Sequence, residues 1–312
     1  MFLFFCCFKF FDSKNSVFVE KDIFINKIIQ LRYKRYLLIF YFIKPVLFIW
    51  FYIILFGKNK ENKHMNILVC ISSVPDTTSK INFTENNTKF DKNGIQFVIN
   101  PYDEFGLTKA IMLKEKFQAN VSVITVGDAS VEPVMRKALA IGADKAVRIN
   151  IQPMDSFSTA NEIANYVKQN NYDIVIAGKE SSDYNSGAVP GIISEILDIP
   201  FVNACNGLSI DGEQVNLSRE IDGGIEKIQT KTPLIIGGQK GLVEESELKI
   251  PNMRGIMTAR TKPLEVIEAT ASNHLTESIE FEKPSVKGEC KMIDENNISE
   301  LVNELHNVTK VI

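Results

Sequence analysis

The 312-residue sequence is poor in the side chains that build metal centres and disulfide frameworks. It has five Cys and three His, and the Cys beyond residue 64 are only Cys70, Cys205 and Cys290. Three well-separated Cys exclude a disulfide framework and fit a reducing compartment. The His residues are scattered without metal-ligand spacing, so we expect no metal site.

Common nucleotide and catalytic motifs are missing too. There is neither a Walker A loop nor a GxGxxG dinucleotide fingerprint. No Ser/His/Asp set, Cys/His set or carboxylate pair identifies a nucleophile or an acid–base couple. We therefore do not predict an enzyme.

Composition changes abruptly at Met65. Residues 1–64 contain no Ala, one Gly, and 11 Lys and Arg against 4 Asp and Glu, whereas the rest holds 24 against 34. An acidic main body argues against general nucleic-acid binding, which depends on neutralising phosphates.

Three interpretations of residues 1–64 are open. Residues 36–57 are long enough for a membrane anchor, but Lys44 and Pro45 at their centre would be costly in lipid. A targeting segment lacks support, because no short apolar core with a small-residue cleavage site occurs. We favour an upstream A/T-rich region translated from a start codon assigned too early. Membrane association is expected only if this leader exists.

After Met65, strand and helix patterns alternate. Apolar runs predict strands at 66–72, 121–127, 145–151, 172–178 and 233–238. Helices are predicted between them, with Asp103 as one N-cap, a capping box of Thr159 and Glu162, and Gly142 after a helix end. The expected fold class is α/β, a parallel sheet with helices on both faces. Ligands of such sheets bind beyond the carboxyl ends of the strands.

Beyond Pro200 the pattern predicts β-hairpin additions. Turns are expected at Asp211-Gly212 and at residues 222–224. From about Lys262 the chain is polar, with a short amphipathic helix at 299–308. We predict three regions: a leader at 1–64, a nucleotide-binding domain at 65–262, and an extended C-terminal arm at 263–312 that wraps a partner or stays loose.

The strongest local site signal is "AGKESSDYNSGAVPG", residues 177–191. A polar loop between a strand and a helix start suits a phosphate, because free N–H groups and the helix dipole favour an anion. Ser186 and Gly187 are expected to open that helix, and Lys179 to add positive charge. An ordinary strand-to-helix loop remains the alternative.

A second unusual stretch is "KIPNMRGIMTARTKP", residues 249–263. Its prolines, glycine and basic residues predict a loop, yet it contains Met253, Ile256 and Met257. Bulky apolar groups seldom stay uncovered in a loop, so we expect them to be held out for another protein.

Several of these motifs occur in one order: "NILVCISSVPD", "INPYDEFGLTKAIMLKE", "VITVGDAS", "KALAIGADKAVRI", "YDIVIAGKESSD", "REIDGGIEKIQTKTP" and "IPNMRGIMTARTKPLEV". Together they resemble the electron transfer flavoprotein β subunit family over about residues 65–267. The resemblance implies an adenine-nucleotide α-hydrolase-like sheet related to flavodoxin. It implies FAD shared with an α subunit, and AMP or a second FAD held by this chain.

The resemblance also implies site residues. Those matching the cofactor site are Cys70, Thr77, Asn100, Pro101, Tyr102, Asp103, Val126, Gly178, Lys179, Asp183, Asn185, Ser186 and Gly187. The loop at 178–187 looks about three residues shorter than is usual in the family, which leaves the positions from Ser181 to Asn185 and the choice of AMP or FAD open.

Residues 249–263 match the family's docking loop, with Met253 at the position of the anchoring side chain and Ile250, Arg254, Ile256 and Met257 around it. The implied partners are the α subunit, acyl-CoA dehydrogenases and a quinone oxidoreductase. The implied location is the bacterial cytoplasm or the mitochondrial matrix. The weighed alternatives are an adenine-nucleotide sensor of universal-stress type and a PP-loop ligase, although "CISSVPD" is no PP-loop.

Overall fold

The computed structural model describes residues 64–270, 273–285 and 288–312. Of the predicted leader at 1–64, only His64 is among these residues, and the predictions for the rest of the leader lie outside them. Within the described part, no helix is long and apolar enough to cross a membrane. Residues 64–312 make up one compact unit.

The helices and strands follow one another largely as the sequence pattern predicts. The strands are β1 (Asn66–Cys70), β2 (Ser73–Pro75), β3 (Phe83–Thr84), β4 (Lys89–Phe90), β5 (Phe97–Ile99), β6 (Asn120–Val126), β7 (Lys145–Asn150), β8 (Ile174–Gly178), β9 (Phe201–Asp211), β10 (Gln214–Ile221), β11 (Gly224–Thr230), β12 (Leu234–Gly238) and β13 (Leu264–Glu268). The α-helices are α1 (Pro101–Phe117), α2 (Glu132–Ile141), α3 (Ser156–Gln169), α4 (Val189–Leu197), α5 (Met253–Ala259) and α6 (Ile298–Asn303).

One nine-stranded sheet organises the chain, in the order β11-β10-β9-β12-β8-β1-β6-β7-β13. The pairs from β9 to β13 in this order are parallel, and the β9–β10 and β10–β11 pairs are antiparallel. The predicted mostly parallel α/β sheet and its β-hairpin additions are therefore confirmed.

The central strands are apolar on both faces, because each face is covered. Along β1, Ile67 and Val69 belong to one buried cluster with α1 and α2. Leu68 and Cys70 belong to the other cluster, with α3 and α4. Successive strand residues point to opposite faces, so this alternation commits the strand to a layer of helices on either side.

The predicted capping box of α3 is wrong. Helix α3 begins earlier than expected, and its capping box consists of Asp155 and Ser158, not Thr159 and Glu162. Glu162 instead accepts the N–H and the hydroxyl of Thr270. The sequence favoured Thr159 because the Thr-x-x-Glu pattern is typical of a capping box. Asp155, four residues upstream, caps the helix instead, because its side chain accepts the Ser158 N–H. At α2, the predicted end before Gly142 is confirmed.

The C-terminal part differs from a loose tail in three places. Leu264–Glu268 pair in parallel with β7 as an edge strand. The chain after it is held by Glu162 and Asp155, and Phe281 stacks on Phe83 with ring centroids 5.0 Å apart. The predicted helix at 299–308 is present as α6 followed by a π-helical turn.

The hairpins are close to expectation. The β9–β10 turn is Gly212-Glu213, one residue later than predicted, because Asp211 still pairs with Gln214. The second turn is Asp222-Gly223, and Gly223 has φ +86°. Such a positive φ favours glycine at that position.

Candidate functional site

The order in which successive strands join the sheet reverses at β1. From β1 the next large strands, β6 and β7, lie on one side, whereas β8 and β12 lie on the other. At such a switch point, the connections from two adjacent strands run to opposite sides, which leaves a crevice beyond the carboxyl ends of the strands. In this sheet the rule predicts the crevice where Ser72 follows β1 and Lys179 follows β8.

Asn100 joins the two walls of this crevice. Its side chain is 1% exposed. Its amide Nδ2 donates to the carbonyl of Glu180 at 2.9 Å, and its Oδ1 accepts the N–H of Ser182 at 3.1 Å. Its backbone N–H donates to the carbonyl of Ser72. Asn100 therefore ties the loop after β8 to the loop after β1.

Asp103 makes a second bridge between the same strands. Its Oδ2 accepts the Ser72 N–H at 2.7 Å, and its Oδ1 accepts the Gly178 N–H at 2.8 Å. The predicted N-cap role is therefore wrong: Asn100 is at the cap position, and neither side chain caps α1. The first turn of α1 faces the carboxyl ends of β1 and β8. Backbone groups beyond these strand ends bind the side chains of Asn100 and Asp103, which therefore do not cap the helix.

Burial governs the acid–base properties of the crevice wall. Loss of solvation raises the pKa of Asp103 to about 7, although the N–H donors of Ser72 and Gly178 and the amide of Asn100 oppose the rise. Burial, together with the nearby Asp103 carboxylate, raises the pKa of the Cys70 thiol far above its usual range. Cys70 is therefore a neutral apolar group and not a thiolate.

The loop after β8 carries the predicted phosphate-binding residues. Lys179 Nζ lies 5.7 Å from the centroid of the Tyr102 ring and 3.7 Å from Glu180 Oε1. Ser186 and Gly187 do not open α4, because the helix begins at Val189. Gly187 has φ +58°, and a left-handed residue of this kind redirects the chain before a helix.

The remaining predicted site residues differ in their placement. Val126 is buried at the end of β6, next to Thr125, whose hydroxyl donates to the Ile71 carbonyl and ties β6 to β1. Exposed predicted residues are Thr77 after β2, Pro101 at the start of α1, and Asp183 and Asn185 in the loop after β8.

The predicted docking loop is partly helical. Met253–Ala259 form α5, whose N-cap Asn252 accepts the Gly255 N–H. The sequence did not predict this helix, because Pro251 and Gly255 are typical of a loop. Apolar side chains still point outward, and the exposed fraction is 75% for Met253 and 81% for Ile250. Arg254, Ile256 and Met257 are exposed as well.

Helix α5 is fixed firmly on α2. A Cβ on Gly255 would lie 2.3 Å from the Ala140 carbonyl oxygen, so only glycine permits this approach. Arg136 donates to the carbonyls of Ala259 and Lys262, and Lys262 Nζ donates back to those of Leu139 and Ala143. Each helix end thus has its free carbonyls satisfied by a cation from the other segment.

Sequence reasoning placed the loop after β8 in the site but did not predict the contacts that assemble the crevice. Ser72, Glu180 and Ser182 contribute through backbone groups, which side-chain patterns do not reveal. It also missed Ser156, whose hydroxyl lies 3.0 Å from that of Ser186 and links the loops after β7 and β8. One sequence signal was available for Ser72, which is a polar residue at the end of the predicted strand 66–72.

The fold defines a class: parallel α/β proteins whose sheet has a topological switch point beside the first strand. Residues 88–272 match the family described as "Electron transfer flavoprotein domain". The chain belongs to this electron transfer flavoprotein family.

Two curated relatives carry the name of a β subunit. The Bacillus subtilis protein named "Electron transfer flavoprotein subunit beta" is 36% identical over 208 residues, 65% of this chain and 79% of the relative. The protein of the same name from Syntrophomonas wolfei is 33% identical over 253 residues, 80% of this chain and 98% of the relative. The expected family resemblance is confirmed, and with it a role in electron transfer.

Proposed function

We propose that this chain is the β subunit of a heterodimeric electron transfer flavoprotein that carries electrons from acyl-CoA and related dehydrogenases to a quinone oxidoreductase. It acts in the bacterial cytoplasm, or in the mitochondrial matrix of a eukaryote. The observation that carries the proposal is the joining of Asn100 and Asp103 to the loops after β1 and β8. The proposal is supported because two residues that the resemblance implies at a nucleotide pocket, Asn100 and Asp103, contact the same pair of loops.

The residues at the crevice suit an adenine nucleotide. Cys70 and Val126 present neutral, buried strand ends against which a base could pack. Lys179 supplies a cation beside the loop that would receive a phosphate. A Cβ on Gly178 would lie 2.4 Å from Asp103 Oδ1, so bare backbone is required at the floor. The nucleotide in this crevice is AMP or a second FAD.

The chain's own contribution to electron transfer is scaffolding and docking. FAD shared with an α subunit supplies the redox chemistry when it is bound. The crevice residues hold the nucleotide, and the arm beyond β13 extends toward the α subunit. The exposed side chains of Ile250, Met253, Arg254, Ile256 and Met257 form the docking surface for the dehydrogenases. A polarizable thioether such as that of Met253 suits several partner pockets.

A nucleotide count tests this function. The chain is co-expressed with the candidate α subunit, the complex is purified, and its nucleotides are released and quantified. One FAD and one AMP per heterodimer support an ordinary electron carrier, and two FAD support a carrier with a second flavin. A chain that forms no stable heterodimer and holds no flavin would overturn the proposal in favour of an adenine-nucleotide sensor.

A further inference from the structure

We propose that Asp103 is a positioning residue of the nucleotide site, which holds the loops after β1 and β8 at a fixed separation and thereby sets the affinity for the nucleotide. This inference rests on the proposed function, because it takes the crevice to be a nucleotide site. It gives Asp103 a different role from that of a direct nucleotide ligand, which the resemblance implied.

The hydrogen bonds of Asp103 carry the argument. Each carboxylate oxygen already accepts a backbone N–H, one from Ser72 at 2.7 Å and one from Gly178 at 2.8 Å. The side chain is 2% exposed. Asp103 therefore acts on a bound nucleotide through the two loops that it holds.

The space around Gly178 shows how tightly this bridge is built. A Cβ there would lie 2.4 Å from Asp103 Oδ1, 2.8 Å from Tyr102 Cβ and 3.0 Å from Asn100 Nδ2. The carboxylate lies against bare backbone, and any side chain at Gly178 would push it away. The separation of the two strand ends therefore depends on this carboxylate and this glycine together.

The other end of the same two strands offers a matched comparison. At the amino edge, Asp173 Oδ2 accepts the Asn66 N–H at 2.9 Å, and the Asp173 N–H donates to the Asn66 carbonyl. Asp173 thus binds the first residue of β1 and Asp103 binds the loop after β1, each through a backbone N–H. At about 3.3 Å per residue, the stretch from Asn66 to Ser72 separates the two sites by roughly 20 Å.

The ionisation of Asp103 is expected to change the bridge. The ionised carboxylate serves both N–H donors, whereas the protonated acid turns one acceptor into a hydroxyl group. Other titratable groups near it are Cys70 on β1, Tyr102 on α1, and Lys179 and Glu180 in the loop after β8. Because burial raises the pKa of Asp103 to about 7, the change falls between pH 6 and 8.

The test compares Asp103→Asn with Asp173→Asn in the complete heterodimer. Dissociation constants for AMP, or for FAD if the complex holds two FAD, are measured by equilibrium dialysis from pH 6 to pH 8. We expect Asp103→Asn to weaken binding at least tenfold at pH 8, because an amide presents N–H groups to one of the two donors. Asp173→Asn should stay within twofold of wild type. The wild-type to Asp103→Asn affinity ratio should grow with pH, and taking the ratio cancels the titration of the phosphate.

A second pair of variants covers the case in which Asp103→Asn does not fold. Gly178→Ala should also weaken binding, whereas Gly224→Ala on β11, where a Cβ meets no atom within 4 Å, should not. Equal weakening by both Asp variants, or by neither, would overturn the positioning role alone. A wild-type complex that holds no nucleotide besides one shared FAD would overturn the proposed nucleotide site, and this inference with it.

Discussion

Asp155 Oδ2 accepts the backbone N–H of Leu275 at 2.7 Å, across 120 residues of sequence. The same oxygen accepts the N–H of Thr276, while Oδ1 accepts that of Ser158 and caps α3. Partial burial opposes ionisation, but the N–H donors of Ser158, Leu275 and Thr276 outweigh it and hold the pKa of Asp155 well below its usual range. One carboxylate therefore both starts a helix and anchors the arm.

Replacing Asp155 with Asn should release the arm and leave α3 intact. An amide can accept from only one of the two sets of donors, and we expect it to keep the cap, because Asn caps helices about as well as Asp. Hydrogen exchange should show loss of protection at the Leu275 and Thr276 amides, with Ser158 unchanged. Asp128→Asn is the control, since Asp128 caps only the one-turn helix at Ala129–Val131. Unchanged protection at Leu275 would contradict the anchoring role.

Acid should also release the arm. Because the folded state lowers the pKa of Asp155, the stabilisation is present above the ordinary Asp pKa of about 3.9 and is lost as pH falls through the lower folded value. Protection of Leu275 and Thr276 should therefore persist at pH 5 and fall on further acidification. The Asp155→Asn variant should show no such acid-dependent step, and a step of the same size in that variant would exclude Asp155 as its cause.

Met253→Ala should slow electron transfer from the dehydrogenase without affecting folding or flavin content. The side chain is 75% exposed, so its removal leaves no cavity in the free subunit. Burial in a partner would contribute about 1.5–3 kcal/mol, which corresponds to docking weakened roughly 10- to 150-fold. Stopped-flow kinetics at varied dehydrogenase concentration measure this change. Met154→Ala, at another exposed methionine, is the control, and equal kinetics in both variants would refute the docking role.

Gly255→Ala should impair docking indirectly. A Cβ there would lie 2.3 Å from the Ala140 carbonyl oxygen, so α5 would have to shift away from α2. Overpacking of this kind costs about 1–3 kcal/mol. We expect a lower urea midpoint together with slower electron transfer, although every exposed side chain of α5 is retained. Gly224→Ala should leave both quantities unchanged, and a Gly255→Ala protein with wild-type stability would show that the α2–α5 contact yields easily.

The free energy of unfolding should depend on pH through Asp103. Its folded pKa of about 7 exceeds the ordinary value, so the folded state holds more protons than the unfolded state between those values. Stability should therefore fall as pH rises from about 4 to about 7, by on the order of 4 kcal/mol for a shift of this size. Urea unfolding of wild type and Asp103→Asn at pH 5 and pH 8 isolates this contribution, because other groups cancel in the difference. Parallel curves would show that Asp103 does not titrate there.

The sheet and its helices were predictable because they depend on local patterns. The apolar run at β1 and the helical spacing of Leu107, Ala110 and Ile111 express burial that any parallel α/β packing would require. The predictions failed where a side chain had a choice of partners. Asp103 could cap α1 by local spacing, yet the donors at Ser72 and Gly178 hold it, and neither is its neighbour in sequence.

The candidate site shows the same division. Its candidate residues were predicted from a family resemblance, because the motifs and their order can be read directly from the sequence. Their mutual geometry could not, because Asn100 contacts Glu180 and Ser182 about 80 positions away through backbone groups common to every residue. The helix at Met253–Ala259 was likewise hidden, because its stability comes from Ala140, Arg136 and Lys262 rather than from helix propensity.

The sequence by itself determined the alternation of strands and helices, the two apolar faces of the sheet and the membership of a family. All three depend on the types of residues and their spacing. Only the tertiary structure decided which polar side chain serves which backbone donor. Asp103, Asp155 and Glu162 each hold a segment distant in sequence. The physical reason is that every residue except proline carries the same backbone N–H, and folding alone determines which acceptor comes within its reach.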